Sequence, residues 1–195
     1  MLLLFASCSG KEVESNPINY EEVPMQTVEK MRAIQYDMDV ISMEMRSARM
    51  ERYAFVKDST EQSYELYLDG FEVFLYTDDG LLETQITSEG ARHTTTKGAE
   101  EWCAYGNVNI VNHIKGERIQ TDTLYWNKDE HKIHTNCYVI ATSPQGRMQG
   151  YGMESDEKAR NSIINRPFDS FGVVTEDSTK FFLDTVNFVG PVQRF

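Results

Sequence analysis

Few cysteines, few basic residues and no long apolar run mark this sequence, and each shortage removes a class of function. Three cysteines in 195 residues cannot staple a disulfide-built miniprotein. A composition 40% apolar and 11% aromatic supplies a core without them. Nineteen Lys and Arg against 31 Asp and Glu leave a net charge of −12. That balance repels phosphate backbones, and with no basic stripe in the chain nucleic acid is not expected as a partner. No run of about 20 apolar residues exists, so no spanning helix is expected. There is no G-x-S-x-G elbow, no P-loop and no G-x-G-x-x-G, and the carboxylates are too many for a catalytic pair to be singled out. No enzyme is expected. His131 and His134 sit three apart, which on a strand puts them on opposite faces. His93, His113, Cys103 and Cys137 show no C-x-x-C or H-E-x-x-H spacing, so neither a metal nor a cofactor is expected.

What the chain does have is alternation. Phe71, Val73 and Leu75 alternate with Glu72, Phe74 and Tyr76 before the turn Thr77-Asp78-Asp79-Gly80, an Asp-Gly hairpin signal. Asn107, Asn109 and Val111 alternate with Val108, Ile110 and Asn112 ahead of Lys115-Gly116, and Tyr138 and Ile140 alternate with Cys137, Val139 and Ala141 ahead of Ser143-Pro144-Gln145-Gly146. Residues 25–52 suit a helix by propensity but carry no 3.6-residue stripe, so they too read as strand. Three hydroxyl–acid pairs, Ser88-Glu89, Thr121-Asp122 and Ser155-Asp156, recur 33 and 34 residues apart. With the turns at Gly80, Gly116 and Gly146 they suggest a repeating hairpin unit that cannot bury its apolar face alone. The expected fold is all-β: an antiparallel two-sheet sandwich or jelly roll. Cys103 and Cys137 are either paired across it or two buried thiols in strands.

At the N-terminus, Met1 to Ala6 is a short apolar stretch followed by Ser7-Cys8 and polar Ser9-Gly10-Lys11-Glu12. The order resembles the lipobox of bacterial lipoproteins, with Phe5 where leucine is usual and no basic segment before it. The resemblance implies lipidation at Cys8 and a membrane lipid anchor. The apolar run is shorter than a signal segment needs, so the start is expected upstream. Residues 1–8 read as a partial lipoprotein signal segment and residues 9–33, with Pro17 and Pro24, as a polar tether.

Across residues 34–174 the body resembles the LptC family, the periplasmic component of lipopolysaccharide export. The resemblance rests on Ala104-Tyr105-Gly106-Asn107-Val108-Asn109-Ile110, on Arg118-Ile119-Gln120-Thr121-Asp122, and on Met148-Gln149-Gly150-Tyr151-Gly152-Met153-Glu154-Ser155-Asp156, taken in order. Thr84 to Arg92 looks like the family's preceding strand. A lipobox stands where better-known members carry a transmembrane helix, and the tail 175–195 matches no family pattern. The resemblance implies a taco-like open β-jelly roll at the periplasmic face of the inner membrane. It implies an apolar trough that takes lipopolysaccharide from an inner-membrane ABC transporter, lined by Phe71, Val73, Leu75, Ile86, Val108, Ile110, Ile119 and Val139. It further implies handover to an LptA-like bridge protein at a partner edge containing Gly150, Gly152, Ile163 and Val173. A glycan-binding β-sandwich lipoprotein is the rival reading, and Tyr125, Trp126 and Trp102 would be its surface aromatics.

Overall fold

The computed structural model describes residue 19, residues 21–96 and residues 98–172. Cys8, Val173 and the tail 175–195 lie outside the described residues. The described strands are β1 (Gln26–Asp37), β2 (Val40–Lys57), β3 (Thr60–Tyr76), β4 (Leu82–Ser88), β5 (Gly90–Thr96), β6 (Ala99–Asn112), β7 (Glu117–Asn127), β8 (Lys132–Ser143), β9 (Gly146–Asp156), β10 (Ile163–Pro167) and β11 (Phe171–Gly172). They form one antiparallel sheet in the order β1-β2-β3-β4-β6-β7-β8-β9-β10. Beside that path β5 pairs β3 and β6, and β11 pairs β9. The all-β architecture matches the expectation from alternation. Residues 25–52 are indeed strands, and the first of them starts at Gln26, inside the segment read as tether. β1 is an edge strand whose side chains are mostly exposed, so its sequence lacks the apolar alternation that marks an inner strand.

The interior face is built by register. Met45 pairs with Val73, Val73 with Ile86, Ile86 with Ile110, Ile110 with Ile119, Ile119 with Ala141 and Ala141 with Met148. One row of apolar side chains therefore crosses seven strands, because directly opposed residues point to the same side of a sheet. Ile110, Ile133, Met153, Val108 and Val139 have under 2% of their surface exposed. Each contributes about 1.5–3 kcal/mol of hydrophobic stabilisation.

The two layers expected from the sequence are two halves of the same strands. Irregular residues fall on one line across the sheet: Lys30 on β1 (φ 52°), Asp69 and Gly70 on β3 (59° and 102°), Gly106 and Asn107 on β6 (74° and 48°) and Gly152 on β9 (78°). Register shifts continue it between Ser47 and Arg49, between Thr121 and Tyr125 and between Thr135 and Tyr138. Glu89, between β4 and β5, completes the line: its amide donates to the Gly106 carbonyl and its carbonyl accepts from the Gly70 amide, both at 2.9 Å. Aligned bulges bend the long strands at the same height, which folds the sheet onto itself. Gly106 serves there because a Cβ would meet the Glu89 side chain, in a backbone region L-residues rarely enter. Ser88-Glu89 and Thr121-Asp122 lie on this seam, whereas Ser155-Asp156 ends β9. The 33- and 34-residue spacing therefore does not mark three equivalent positions.

Residues 157–161, between β9 and β10, strap the roll shut. Ala159 is 1% exposed. The Lys158 carbonyl accepts from Thr84 Oγ1 at 2.7 Å, and Arg160 donates twice to the Glu83 carboxylate at 2.5 and 2.6 Å. The Lys158 ammonium donates to the Tyr76 carbonyl at 3.1 Å. The last third of the chain is thus latched to the β3–β4 hairpin. On the outer face a second ion cluster joins the first strands, where Arg32 and Arg46 both place Nε 2.5 Å from Glu44 Oε1. Their hydrogen bonds hold the Glu44 carboxyl down at about 2.

Candidate functional site

The halves enclose a cavity of about 60 Å³. From the first half it is lined by Met43, Met45, Phe71, Val73, Leu75 and Ile86, and from the second by Ala91, Trp102, Ala104, Leu124, Trp126 and Ile133. Glu157 of the strap reaches its wall. Such a space admits a few water-sized groups, and its lining offers hydrocarbon for hydrocarbon. Next to it Met31, Met45 and Met50 pack on the buried Tyr67, Phe71 and Ala91. Methionine is unbranched and polarizable, so this side adapts to a guest's shape more readily than the Ile- and Val-rich wall opposite.

The eight residues expected to line a trough divide into two groups. Phe71, Val73, Leu75 and Ile86 form the cavity wall. Val108, Ile110, Ile119 and Val139 are 1%, 1%, 4% and 0% exposed and belong to the close-packed cluster beyond it. The sequence reading missed Met43, Met45, Leu124, Ile133 and the two tryptophans. The glycan-binding alternative needs Trp102 and Trp126 at the surface, but they line the cavity, and Tyr125 is half-buried with its ring stacked on His134. On β7 alternation does not carry through the bulge between Thr121 and Tyr125, so parity counted from Ile119 would put Leu124 and Trp126 outside. An aromatic cluster with exposed members lies elsewhere: Tyr138 and Tyr151 contact each other and the half-buried Phe168 with centroids 5.6–6.1 Å apart.

The expected partner edge is also rearranged. Gly150 and Gly152 lie on β9, with β8 on one side and β10 on the other, so among the described residues they are not at an edge. β10 covers them, pairing Ile164 with Met153, Arg166 with Tyr151 and Pro167 with Gly150. Ile163 is on β10 and 67% exposed. β10 stops at Pro167 and the ladder resumes only at Phe171 and Gly172, an interruption that blunts an edge. At the opposite edge β1 keeps one side unpaired among the described residues over 12 residues. A Cβ on Gly150 would lie 2.5 Å from the Arg166 carbonyl oxygen and from Ile164 Cγ2. Gly150→Trp is therefore expected to expel β10 at a cost of about 3 kcal/mol. Hydrogen exchange would report this as lost protection at Ile163 and Ile164, and unchanged protection there would refute it.

Titratable groups near the cavity are committed to structure. Glu65 accepts from Tyr67 at 2.9 Å and lies 3.3 Å from His93 Nδ1. Its carboxyl is lowered chiefly by the His93 hydrogen bond, while burial pushes the Tyr67 hydroxyl upward. Cys103 and Cys137 are free and partly buried, and burial raises the Cys103 thiol, which keeps it protonated at neutral pH. His131 sits 3.4 Å from Glu157, whereas His134 stacks on Tyr125. Among the described residues no group of three or more His, Cys, Asp or Glu is placed to hold a metal ion, and no helix is long and apolar enough to cross a membrane.

The chain has no significant match among curated proteins. A family model described as "Lipopolysaccharide-assembly, LptC-related" matches residues 1–162, which takes in β1 to β9, the seam, the cavity and the strap. The rolled antiparallel sheet, the apolar space between its halves and this match agree: the chain belongs to the LptC-related family and takes part in lipopolysaccharide transport.

Proposed function

We infer that the protein carries acyl chains of lipopolysaccharide between the two halves of its sheet, accepting them from an inner-membrane ABC transporter and passing them to an LptA-like bridge protein. The observation that carries this reading is the wall: twelve apolar or aromatic side chains from both halves converge on one space. Each CH₂ moved from water into such a space gains about 0.8 kcal/mol, so affinity needs no basic residues and is compatible with the net charge of −12. At about 60 Å³ the space is too small for a whole acyl chain. Loading therefore parts the halves, with the methionines of β1 and β2 giving way first. β1 offers an unpaired edge for strand addition to one neighbour, and β10 a shorter edge, around Ile163, for another. A lipid on Cys8 holds the protein at the periplasmic face of the inner membrane.

Photocrosslinking in membranes tests this, with the probe placed in turn at Val73, at Met45 and at Glu72, which lies between Arg46 and Thr87 on the other face. ATP-dependent crosslinks to lipopolysaccharide are expected at Val73 and Met45 and not at Glu72. A folded, membrane-bound protein that crosslinks at neither cavity position would overturn the proposal.

A further inference from the structure

Three ring nitrogens on adjacent strands are buried without partners, and they fall on one cross-strand row. His93 of β5 pairs with Trp102 of β6, which pairs with Trp126 of β7. The ring centroids are 4.2 Å apart for His93 and Trp102 and 5.9 Å apart for the two indoles. His93 Nε2, Trp102 Nε1 and Trp126 Nε1 are closed off from solvent and have no hydrogen-bond partner among the described residues. An indole N–H can only donate. A donor buried without an acceptor is costly and rare in a native fold, so each such group calls for a physical reason. Here both indoles belong to the wall of the same cavity, and neither hydrogen-bonds any of its other lining side chains, Glu157 included. A group that completes them can arrive with the cavity's occupant.

We propose that this row reads acyl carbonyls: the indole N–H groups of Trp102 and Trp126 donate to the carbonyl oxygen of an ester or amide linkage, so that the cavity selects acylated lipid over plain alkyl chains. The proposal rests on the cavity being the lipid site and adds the linkage that is recognised there. Charge decides the kind of acceptor. Glu65 Oε2 lies 3.3 Å from His93 Nδ1 and Glu100 Oε2 lies 3.7 Å from His93 Nε2, so carboxylates close the His93 end of the row. A free fatty-acid carboxylate drawn to it would lose its hydration beside two like charges, whereas a neutral carbonyl would not. The ring faces add to selectivity, because Trp102 is stacked between His93 and Tyr67 and its N–H cannot swing away without breaking those contacts.

The chain has two tryptophans, so ¹⁵N-labelled protein gives two indole N–H resonances, assigned with Trp102→Phe and Trp126→Phe. Three probes of equal chain length are titrated in micelles: dilauroyl phosphatidylethanolamine, its ether-linked dialkyl counterpart, and laurate. The ester lipid is expected to move both indole resonances downfield and to bind about 25-fold more tightly than the ether lipid, about fivefold for each hydrogen bond. Laurate is expected to bind more weakly than the ester lipid, and the double Phe variant to bind ester and ether alike. Equal affinity of the wild-type protein for ester and ether, with unmoved indole resonances, would overturn the carbonyl strip while leaving the cavity as a lipid site. Failure of all three probes to bind would overturn the lipid reading and the strip with it. Should the Phe variants not fold, the wild-type comparison decides alone.

Discussion

Val108→Asp is expected to leave no folded protein, whereas Val73→Asp is expected to leave a folded protein that no longer takes up lipid. Both valines face the interior, and they differ in what surrounds them. Val108 is 1% exposed within the cluster of Ile110, Ile119, Val139 and Met153. A carboxylate there has neither water nor a cation, and the loss of several kcal/mol is a large fraction of a domain's stability. Val73 is half-buried on the cavity wall, where a carboxylate keeps some hydration, so the cost falls to about 1–3 kcal/mol. The charge it leaves in the wall repels hydrocarbon and the acidic head of the ligand alike. Thermal unfolding followed by circular dichroism separates the two, and the lipid crosslink from Met45 reports uptake. A cooperatively folding Val108→Asp protein, or a Val73→Asp protein with normal uptake, would refute the division between packed core and cavity wall.

The second large effect concerns the strap. Arg160→Ala leaves Glu83, 4% exposed, with the Lys158 ammonium at 3.8 Å as its remaining close cation. The Arg160 side chain is 44% exposed, so solvent already screens part of the pair. The expected loss is about 1–3 kcal/mol at neutral pH rather than the larger cost of breaking a fully buried pair. The pH dependence has a definite sign. Arg160 lowers the Glu83 carboxyl below its ordinary value, as Arg32 and Arg46 do for Glu44. Stability from a lowered carboxyl is fully present above its unfolded value near 4.5 and is lost as pH falls through the folded value. Wild-type protein should therefore weaken steadily as pH falls from about 5 toward about 2, the value reached by Glu44. Arg160→Ala should flatten the part due to Glu83, bringing wild type and variant closer in acid than at pH 7. Denaturant melts at several pH values check this, and a constant difference between the two proteins would refute it.

Much of the fold was legible in the residues. Alternation in residues 71–76 and 107–112 marked inner strands, and the Asp79-Gly80, Lys115-Gly116 and Gln145-Gly146 turns closed three hairpins in the expected places. The first two hairpins were not legible. Met38 and Asp39, then Asp58 and Ser59, take positive φ at both turn positions, without the Asn-Gly or Asp-Gly signature that usually announces such turns.

The sequence by itself determined the class of the molecule: an all-β body whose apolar residues alternate, with a net charge of −12 and LptC-like segments in order. It did so because strand periodicity and turn chemistry are local, and because charge balance is a sum over residues. Only the tertiary structure decided which inward residues meet open space and which are sealed in the core. It also decided that Trp102 and Trp126 belong to the interior, that β10 covers Gly150, and that residues 157–161 latch onto Glu83 and Thr84. The first of those outcomes follows from bulges that line up across strands far apart in sequence and bend them together. That alignment is a property of register between strands, which no single strand's residues contain.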